Sequence, residues 1–354
     1  MVKILIVRLG ALGDILHALP AVTGMRAALP QATIGWLIEE KWSELLAAEG
    51  AANAESLSAQ KPVVNLIHRV NIAKLRKRWL HPSTITEFRG MLKEIQRTGY
   101  DVALDFQGAI RSAILGRWSG ATTKAGFVDP RESLARFFYS AKFSRSGDHV
   151  IEQDHAMAAQ ALQKYLGPTR LKLLAPKLPK DAPAEAWATA EIQRLGIASF
   201  VMVNPGAGWG AKQWPPERFG EVAKALARHN LKTLVNAGPG EEALAEAVVQ
   251  ASGGNAFVVR CSLGQLIALT RRTRLMIGGD TGPLHLAAAF GIPVVGLYGP
   301  TDPVRTGPFG TRAVVLRKPE SKTTFSHHSH ADEGLLKISA EEVISAARHL
   351  LGSR

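Results

Sequence analysis

The chain has 354 residues, enough for one very large domain or two ordinary ones, and a hydrophobic fraction of 46% is ample for packed cores. Its formal net charge of +13 indicates an anionic partner. Nucleic acid, an anionic membrane surface and a phosphorylated substrate all fit this charge, and composition alone does not choose among them. One cysteine, Cys261, excludes an intrachain disulfide and fits a cytosolic protein. No apolar run approaches the roughly 20 residues of a membrane span, and the N-terminal segment has neither the length nor the cleavage site of a signal peptide.

The first predicted elements are a buried strand, Lys3 to Val7, and a helix that begins near Asp14. The glycines between them are spaced G-x-x-G, without the middle glycine that lets a dinucleotide pyrophosphate approach. Asp14 therefore lies at the carboxyl end of the first strand, where the sites of open α/β sheets collect. It is a helix N-cap, a functional carboxylate or both. Pro20 predicts a break or kink in the helix.

Alternating strands and helices continue through the first half of the chain. Further strands are predicted at 33–38, 63–67 and 102–106, and helices at 87–97 and 153–166. Residues 120–148 are predicted to be mostly loop. Gln107 follows the strand at 102–106, and Arg111 lies in the helix after it. A basic stretch ending at Trp79 suits phosphates or carboxylates, although a solvated helix face has the same composition.

A segment rich in proline and lysine, 173–183, predicts a linker. We therefore expect a first domain over 1–172 and a second over 184–338, each a doubly wound α/β sheet, with a cleft between them. A last helix within 339–354 is a candidate to pack back on the first domain. The second half is predicted to hold strands at 200–204, 232–236, 258–260, 275–277 and 294–298.

The most informative segment is 275–303, LMIGGDTGPLHLAAAFGIPVVGLYGPTDP. A short buried strand ends in two glycines, and Asp280 or Thr281 can cap a helix that carries Pro283 in its first turn and His285 one turn on. Free N–H groups and the helix dipole make such a loop an anion site, and the alternative is an ordinary tight turn. A second glycine-rich loop ends in Lys212, a point charge for phosphate although the Walker pattern is absent. Glu241, at the next helix start, is a partner of the helix dipole or a ribose ligand.

Four stretches together resemble the lipopolysaccharide heptosyltransferases, glycosyltransferase family 9. They are VRLGALGDILHALP from Val7, DFQG from Asp105, KQWP from Lys212, and GDTGPLH from Gly279 with YGPTDP from Tyr298. The LHALP segment and the basic stretch look most like those of members that add the first heptose. The resemblance implies the GT-B fold and an inverting transfer of heptose from ADP-L-glycero-β-D-manno-heptose to the Kdo residue of Kdo-lipid A. It implies a cytoplasmic enzyme, peripheral on the anionic inner membrane, with no nucleic acid partner.

The resemblance also implies residue roles, with no cofactor. Asp14 would be the general base, and Lys212 would neutralise the leaving diphosphate. The donor would contact Gly13, Glu241, Asp280, Thr281, Gly282 and His285. The acceptor would contact His17, Arg69, Lys74, Arg76, Lys77, Gln107 and Arg111. A D-x-D triplet is absent, so no metal-bridged diphosphate is suggested. His327, His328 and His330 are a metal cluster or, more simply, an exposed loop.

Three alternatives remain open at this stage. The first is an enzyme that adds the second heptose, or another ADP- or UDP-sugar transferase of the same fold. The second is a nicotinamide-dependent dehydrogenase or epimerase, against which the missing glycine counts. The third is a non-catalytic binder of anionic membrane or nucleic acid, which requires basic and aromatic residues interleaved along one face.

Overall fold

The computed structural model describes residues 1–51, 56–78, 81–324 and 330–352. The chain divides into two compact units, Met1–Lys180 and Asp181–Arg354, and their boundary falls inside the predicted linker. Trp79, His327 and His328, which the sequence singled out, lie outside the described residues. None of the helices in the described ranges has both the length and the hydrophobicity needed to cross a membrane.

The first unit contains a parallel sheet of six strands in the order β3-β2-β1-β4-β5-β6. The strands are β1 Lys3–Val7, β2 Thr33–Glu39, β3 Leu66–Val70, β4 Val102–Asp105, β5 Thr123–Phe127 and β6 Ala141–Phe143. The central strand β1 pairs with β2 on one side and β4 on the other, and its last four residues are fully buried. A parallel sheet is covered on both faces, which explains this continuous apolar run.

Helices cover that sheet, and one of them corrects a prediction. They are α1 Leu12–Ala28, α2 Ile72–Arg78, α3 Pro82–Thr98, α4 Ile110–Trp118, α5 Val150–Ala161 and α6 Gln163–Leu166. The predicted break at Pro20 is wrong, because α1 continues through it to Ala28. A proline removes one helix hydrogen bond, but nearly every residue from Ile15 to Met25 is buried, and that packing holds the helix together.

The structure shifts two further predictions for the first unit. The third strand, predicted at 63–67, runs from Leu66 to Val70, so His68 and Arg69 of the basic stretch are strand residues. The loop-rich segment 120–148 also holds the short strands β5 and β6. Both strands are short, and only their pairing in the sheet stabilises them, which local sequence patterns do not reveal.

The second unit repeats the same plan with the order β12-β11-β10-β7-β8-β9. Its strands are β7 Phe200–Asn204, β8 Lys232–Asn236, β9 Ala256–Val259, β10 Met276–Gly279, β11 Val294–Tyr298 and β12 Ala313–Arg317. The predicted bounds of β7, β8 and β11 are confirmed. The strand β12 was not predicted, although its sequence AVVLR carries a run of four apolar residues. The run is short, and this edge strand is only partly buried.

The helices of the second unit include the C-terminal one. They are α7 Ala182–Arg194, α8 Pro216–Ala227, α9 Glu242–Ala251, α10 Leu263–Thr270, α11 Gly282–Ala289, α12 Pro303–Thr306, α13 Glu333–Leu336 and α14 Ala340–Gly352. The last helix is a candidate to pack on the first domain by its sequence, but in the structure Val343 and Ala347 of α14 lie in the core of the second unit. There α14 packs on α8, β11 and β12 and buries the helix's apolar face.

Candidate active site

Both sheets have a topological switch point, where successive connections leave in opposite directions. In the first unit it lies between β1 and β4, and in the second between β7 and β10. Loops at the carboxyl ends of such neighbours diverge and leave a crevice in which ligands bind. The predicted site residues follow these strands: Asp14 and Gln107 in the first unit, Lys212 and Asp280 in the second.

The second unit brings Lys212, Asp280 and His285 into direct contact. Lys212 Nζ donates to Asp280 Oδ2 at 2.7 Å and to the Asp280 carbonyl oxygen at 3.2 Å. His285 Nε2 lies 2.8 Å from Asp280 Oδ1, so each carboxylate oxygen has its own partner. Gly279 makes the approach possible, because a Cβ there would lie 2.9 Å from the Lys212 carbonyl oxygen. The ammonium retains one further N–H for a ligand.

Asp280 stays ionised in this cluster although it is almost fully buried. Burial by itself raises the pKa of a carboxyl, but the hydrogen bonds and charges of His285 and Lys212 outweigh it and hold the pKa of Asp280 well below its usual range. Tyr298 closes the cluster, with its hydroxyl 3.5 Å from Asp280 Oδ1 and donating to the Thr306 carbonyl oxygen at 3.1 Å. Burial, with the charge of Asp280, raises the pKa of Tyr298 well above its ordinary value, so the phenol stays neutral.

The start of α11 offers polar groups beside this cluster. Thr281 is the N-cap, but its side chain makes no capping hydrogen bond. Pro283 has no N–H, and the N–H groups of Leu284 and His285 donate to the Thr281 carbonyl oxygen. The Thr281 hydroxyl donates to the Gly279 carbonyl oxygen at 3.3 Å. The N–H of Gly282 is therefore the donor that the helix start offers. A buried hydroxyl oxygen of Thr301, in the loop after β11, has no hydrogen-bond partner within the described ranges.

Glu241 belongs to the same edge of the sheet. Its Oε2 accepts a hydrogen bond from the Gly238 N–H at 2.8 Å. The carboxylate lies against Gly206 in the loop after β7, where a Cβ would be 2.0 Å from its carbon. Asn204 Nδ2 donates to the Gly206 carbonyl oxygen at 2.7 Å and lies 3.4 Å from Thr281 Oγ1. One chain of contacts thus joins the predicted ribose ligand to the α11 start.

Sequence reasoning missed two asparagines that build this edge. Asn236 Nδ2 donates to Asn204 Oδ1 at 2.6 Å, which ties the ends of β7 and β8 together. The signal was present, since the predicted strands FVMVN and KTLVN both end in apolar residues followed by asparagine. A polar side chain at the carboxyl end of a buried parallel strand is placed where such sites form.

Asp14 lies in the first turn of α1, which begins two residues earlier than expected. Its Oδ2 accepts from the Ala11 N–H at 3.0 Å, and its Oδ1 lies 2.9 Å from Arg8 Nη2. Arg8 also donates to the Phe106 carbonyl oxygen, so the cation is fixed between the loops after β1 and β4. Gly13 precedes Asp14 in the same turn. The carboxylate is 41% exposed and can meet a ligand.

Gln107 and Asp105 hold the β4 end in place. Gln107 is buried, and its Oε1 accepts from the Leu9 N–H at 2.9 Å, which joins the two strand ends. The buried Asp105 carboxyl accepts from the N–H groups of Gln107 and Gly108 and from the hydroxyls of Ser112 and Tyr139, at 2.7 to 3.1 Å. Burial raises the pKa of Asp105, although these four hydrogen bonds oppose the shift.

The other predicted acceptor residues lie on several elements of the first unit. The His17 ring is buried and lies 5.5 Å from the ring of His149, edge to face. Arg69 is exposed on the edge strand β3, and Arg111 is exposed near the start of α4. On α2, Lys74 pairs with Glu87 at 2.5 Å, while Arg76 and Lys77 are exposed. The predicted acceptor cations thus lie on β3, α2 and α4.

Comparisons with known proteins agree with this geometry. A family model described as glycosyltransferase family 9 (heptosyltransferase) matches residues 88–334. Lipopolysaccharide heptosyltransferase 1 of Pseudomonas aeruginosa is 29% identical over 89% of this chain and 83% of that protein. The enzyme of the same name from Escherichia coli K12 is 27% identical over 90% of this chain and 94% of its own.

Solved structures show the same architecture. E. coli heptosyltransferase WaaC with ADP superposes with a TM-score of 0.77 at 24% identity, covering 98% of this chain and 99% of that one. A family 9 glycosyltransferase from Veillonella parvula gives 0.79 at 24% identity, covering 99% and 97%. At these identities the superpositions establish the fold.

Two doubly wound parallel sheets, each with polar side chains at its switch point, define the GT-B architecture of nucleotide-sugar glycosyltransferases. The match of the family model over most of the sequence narrows this class. The chain belongs to glycosyltransferase family 9, the heptosyltransferases.

Proposed function

We propose that this glycosyltransferase moves L-glycero-D-manno-heptose from ADP-heptose to the Kdo residue of Kdo-lipid A. The acceptor hydroxyl oxygen attacks the anomeric carbon of the heptose, the bond from that carbon to the diphosphate oxygen breaks, and ADP leaves. Asp14 takes the hydroxyl proton. The configuration inverts, because attack and departure occur in one displacement from opposite sides.

The arrangement of Lys212, Asp280 and His285 is the observation that carries the proposal. Negative charge develops on the diphosphate as the bond breaks, and a fixed ammonium with an N–H to spare stabilises it. The Gly282 N–H supplies an uncharged donor at the positive end of α11. The Thr281 hydroxyl adds a second donor when it exchanges its hydrogen bond to the Gly279 carbonyl oxygen for one to the diphosphate. Glu241, one contact further along the edge, suits the hydroxyls of a ribose.

The first unit supplies the acceptor side. Asp14 combines exposure with a fixed orientation, as a general base for a large substrate requires. The exposed cations of β3 and α2 suit the carboxylates and phosphates of Kdo-lipid A and the anionic surface of the inner membrane, on whose cytoplasmic face the enzyme would work. No nucleic acid partner is needed to account for the basic charge.

The test is heptose transfer from purified ADP-heptose to Kdo-lipid A, followed by mass spectrometry. We expect the mass gain of one heptose with the wild-type enzyme and a loss of about 10²- to 10⁴-fold in Asp14→Asn. Asp148→Asn is the matched control, because Asp148 is an exposed aspartate of the same unit and should leave the rate unchanged.

Each outcome separates the alternatives. Full activity in a folded Asp14→Asn variant would reject this residue as the base. No transfer by the wild type, together with binding of ADP, would reject this donor–acceptor pair and favour another sugar or acceptor of the same fold.

A further inference from the structure

A short 3₁₀ helix between β5 and β6, the Ser133–Phe138 turn, presents two large apolar side chains to solvent. Leu134 is 57% exposed and Phe137 is 69% exposed, whereas leucine and phenylalanine are among the residues most often buried. Residues three apart in a 3₁₀ helix lie on the same side, so the two side chains project together. They have no role in the reaction described above, and a joint apolar projection indicates an interaction surface.

The opposite side of the turn is fixed to the first unit, so the exposure is part of the fold. Ala135 is fully buried, and it packs with Tyr139 against α4. The Tyr139 hydroxyl donates to Asp105 Oδ2 at 2.7 Å, which ties the turn to the end of β4. Because its inner face is anchored in this way, the turn holds Leu134 and Phe137 in solvent.

The turn lies at the edge of the sheet that carries Asp14. Because β5 is parallel to β4 and β4 to β1, the segments that follow these strands leave the sheet at the same edge. There the Glu132 N–H donates to the Gly108 carbonyl oxygen at 2.9 Å, and Glu132 Oε2 accepts from the Ile110 N–H at 2.8 Å. The apolar pair is therefore joined to the loop after β4, which also contains Gln107.

The charge around the turn is positive. Residues 110–145 contain seven lysines and arginines but only two acidic residues. Both acids have partners, since Glu132 accepts the hydrogen bond just described and Asp129 pairs with Arg145 at 3.1 Å. Arg131 and Arg136 are exposed close to the apolar pair in the sequence. Apolar side chains among cations suit an anionic lipid bilayer, because its headgroups attract the cations and its acyl boundary takes up the apolar groups.

We propose that the Ser133–Phe138 turn is a membrane-docking surface, with Leu134 and Phe137 inserted into an anionic bilayer and Arg131 and Arg136 against its headgroups. A second copy of this chain is a poorer partner, because it carries the same net charge of +13. Docking at this edge holds Asp14 near the headgroups, where a sugar attached to a membrane lipid lies. This consequence for catalysis rests on the proposed function, whereas the docking itself does not.

The first experiment is cosedimentation of the full chain with vesicles of phosphatidylglycerol and phosphatidylcholine in equal parts, and with vesicles of phosphatidylcholine alone. We expect binding to the anionic vesicles that salt weakens, and much weaker binding to the neutral ones. Leu134→Ser with Phe137→Ser should weaken binding to the anionic vesicles at least about tenfold, because the inserted apolar area is lost. Phe137→Trp alone should keep it, since tryptophan is favoured at the membrane interface.

The matched control changes two exposed apolar side chains of the second unit. Val304 is 63% exposed and Leu336 is 41% exposed, and the variant with serine at both positions should bind the vesicles like the wild type. Wild-type binding by the Leu134→Ser, Phe137→Ser variant would overturn the proposal, as would an equal loss in the control. Sedimentation velocity without lipid tests the other occupant. A wild-type dimer that the variant fails to form would assign the surface to a second copy and overturn its assignment to lipid.

The second experiment connects docking with transfer. Kdo-lipid A embedded in the anionic vesicles is compared with its fully deacylated, water-soluble form as the acceptor. The Leu134→Ser, Phe137→Ser variant should lose about tenfold in kcat/KM with the embedded acceptor, because docking raises the local concentration of enzyme, and should match the wild type with the soluble one.

An equal loss with both acceptors would place the effect in the catalytic site and overturn the docking role. If the wild type transferred heptose to neither acceptor but bound anionic vesicles through Leu134 and Phe137, the proposed function would fail while the docking surface stood.

Discussion

Asp14 and Asp280 each lie at a switch point of a sheet, and the two sheets have the same strand order. Their surroundings differ. The Asp14 side chain is 41% exposed and pairs with one arginine, Arg8. The Asp280 side chain is 8% exposed and pairs with a lysine and a histidine. Topology thus decides where a functional carboxylate lies, and burial decides what it does. The exposed one can exchange a proton with a substrate, and the buried one fixes a cation.

The largest expected effect concerns stability. Asp280→Asn leaves Lys212 with an uncompensated charge in a buried site, which should lower the free energy of unfolding by about 3–5 kcal/mol. Asp14→Asn breaks a partly exposed pair and should cost at most about 1 kcal/mol. Urea denaturation of both variants measures the difference. Equal losses would mean that burial does not distinguish the two carboxylates.

The next largest effect concerns catalysis in the second unit. Lys212→Met should lower kcat for transfer by about 10²- to 10³-fold, because the charge that develops on the diphosphate loses its ammonium partner. Lys224→Met, at an exposed position of α8, is the control and should leave kcat unchanged. If the two variants had the same kcat, Lys212 would serve only to anchor the loop.

The two units should also respond to pH with opposite signs. The pKa of Asp280 is lowered, so its stabilisation is present above the unfolded value of 3.8 and is lost as pH falls below it. The pKa of Asp154, a buried residue of α5, is raised by burial from 3.8 to about 7, so its folded state binds a proton more tightly and stability is lost as pH rises between those values. Asp154→Asn should flatten the pH dependence of unfolding by up to about 1.4 kcal/mol per pH unit in that window. Thermal unfolding at pH 4, 5.5 and 7 measures it, and parallel curves for variant and wild type would contradict it.

The smallest effect concerns a glycine. In Gly206→Ala the new Cβ would push the Glu241 carboxylate aside, which should weaken ADP binding about tenfold with little loss of stability. Gly208→Ala, in the same loop, meets open space and is the matched control. Calorimetric titration with ADP compares them. Equal affinities would remove Glu241 from the donor site.

The sequence predicted more of the second unit than of the first. Strands such as Phe200–Asn204 and Val294–Tyr298 are continuous buried runs bounded by turn residues, so periodicity locates them. The short strands β5 and β6 depend on their neighbours for stability, and no continuous apolar run marks them. The edge strand β12 does carry such a run, AVVL, and was overlooked. The helix through Pro20 shows tertiary packing overriding a local preference.

The candidate site divides in the same way. Lys212 and Asp280 were predicted because they lie in glycine-rich loops that follow strands, and His285 because it lies one turn into the helix after the second of these loops. The hydrogen bond from the Leu9 N–H to Gln107 Oε1 was not predictable, because it joins two distant segments of the chain only when β1 and β4 pair in the sheet. The Asp14–Arg8 pair could have been predicted, because the two residues lie at the two ends of the same predicted loop.

The bond between Lys212 and Asp280 has a consequence for turnover under the proposed function. Without nucleotide, the ammonium already has a counter-ion, so an arriving diphosphate that binds the third N–H shares the charge of the lysine with Asp280 and gains less than it would from an unpaired lysine. Affinity for ADP is limited accordingly. After transfer, Asp280 remains paired with Lys212, so the departure of ADP does not leave a buried ammonium without a counter-ion. A built-in competitor of this kind limits inhibition by the product.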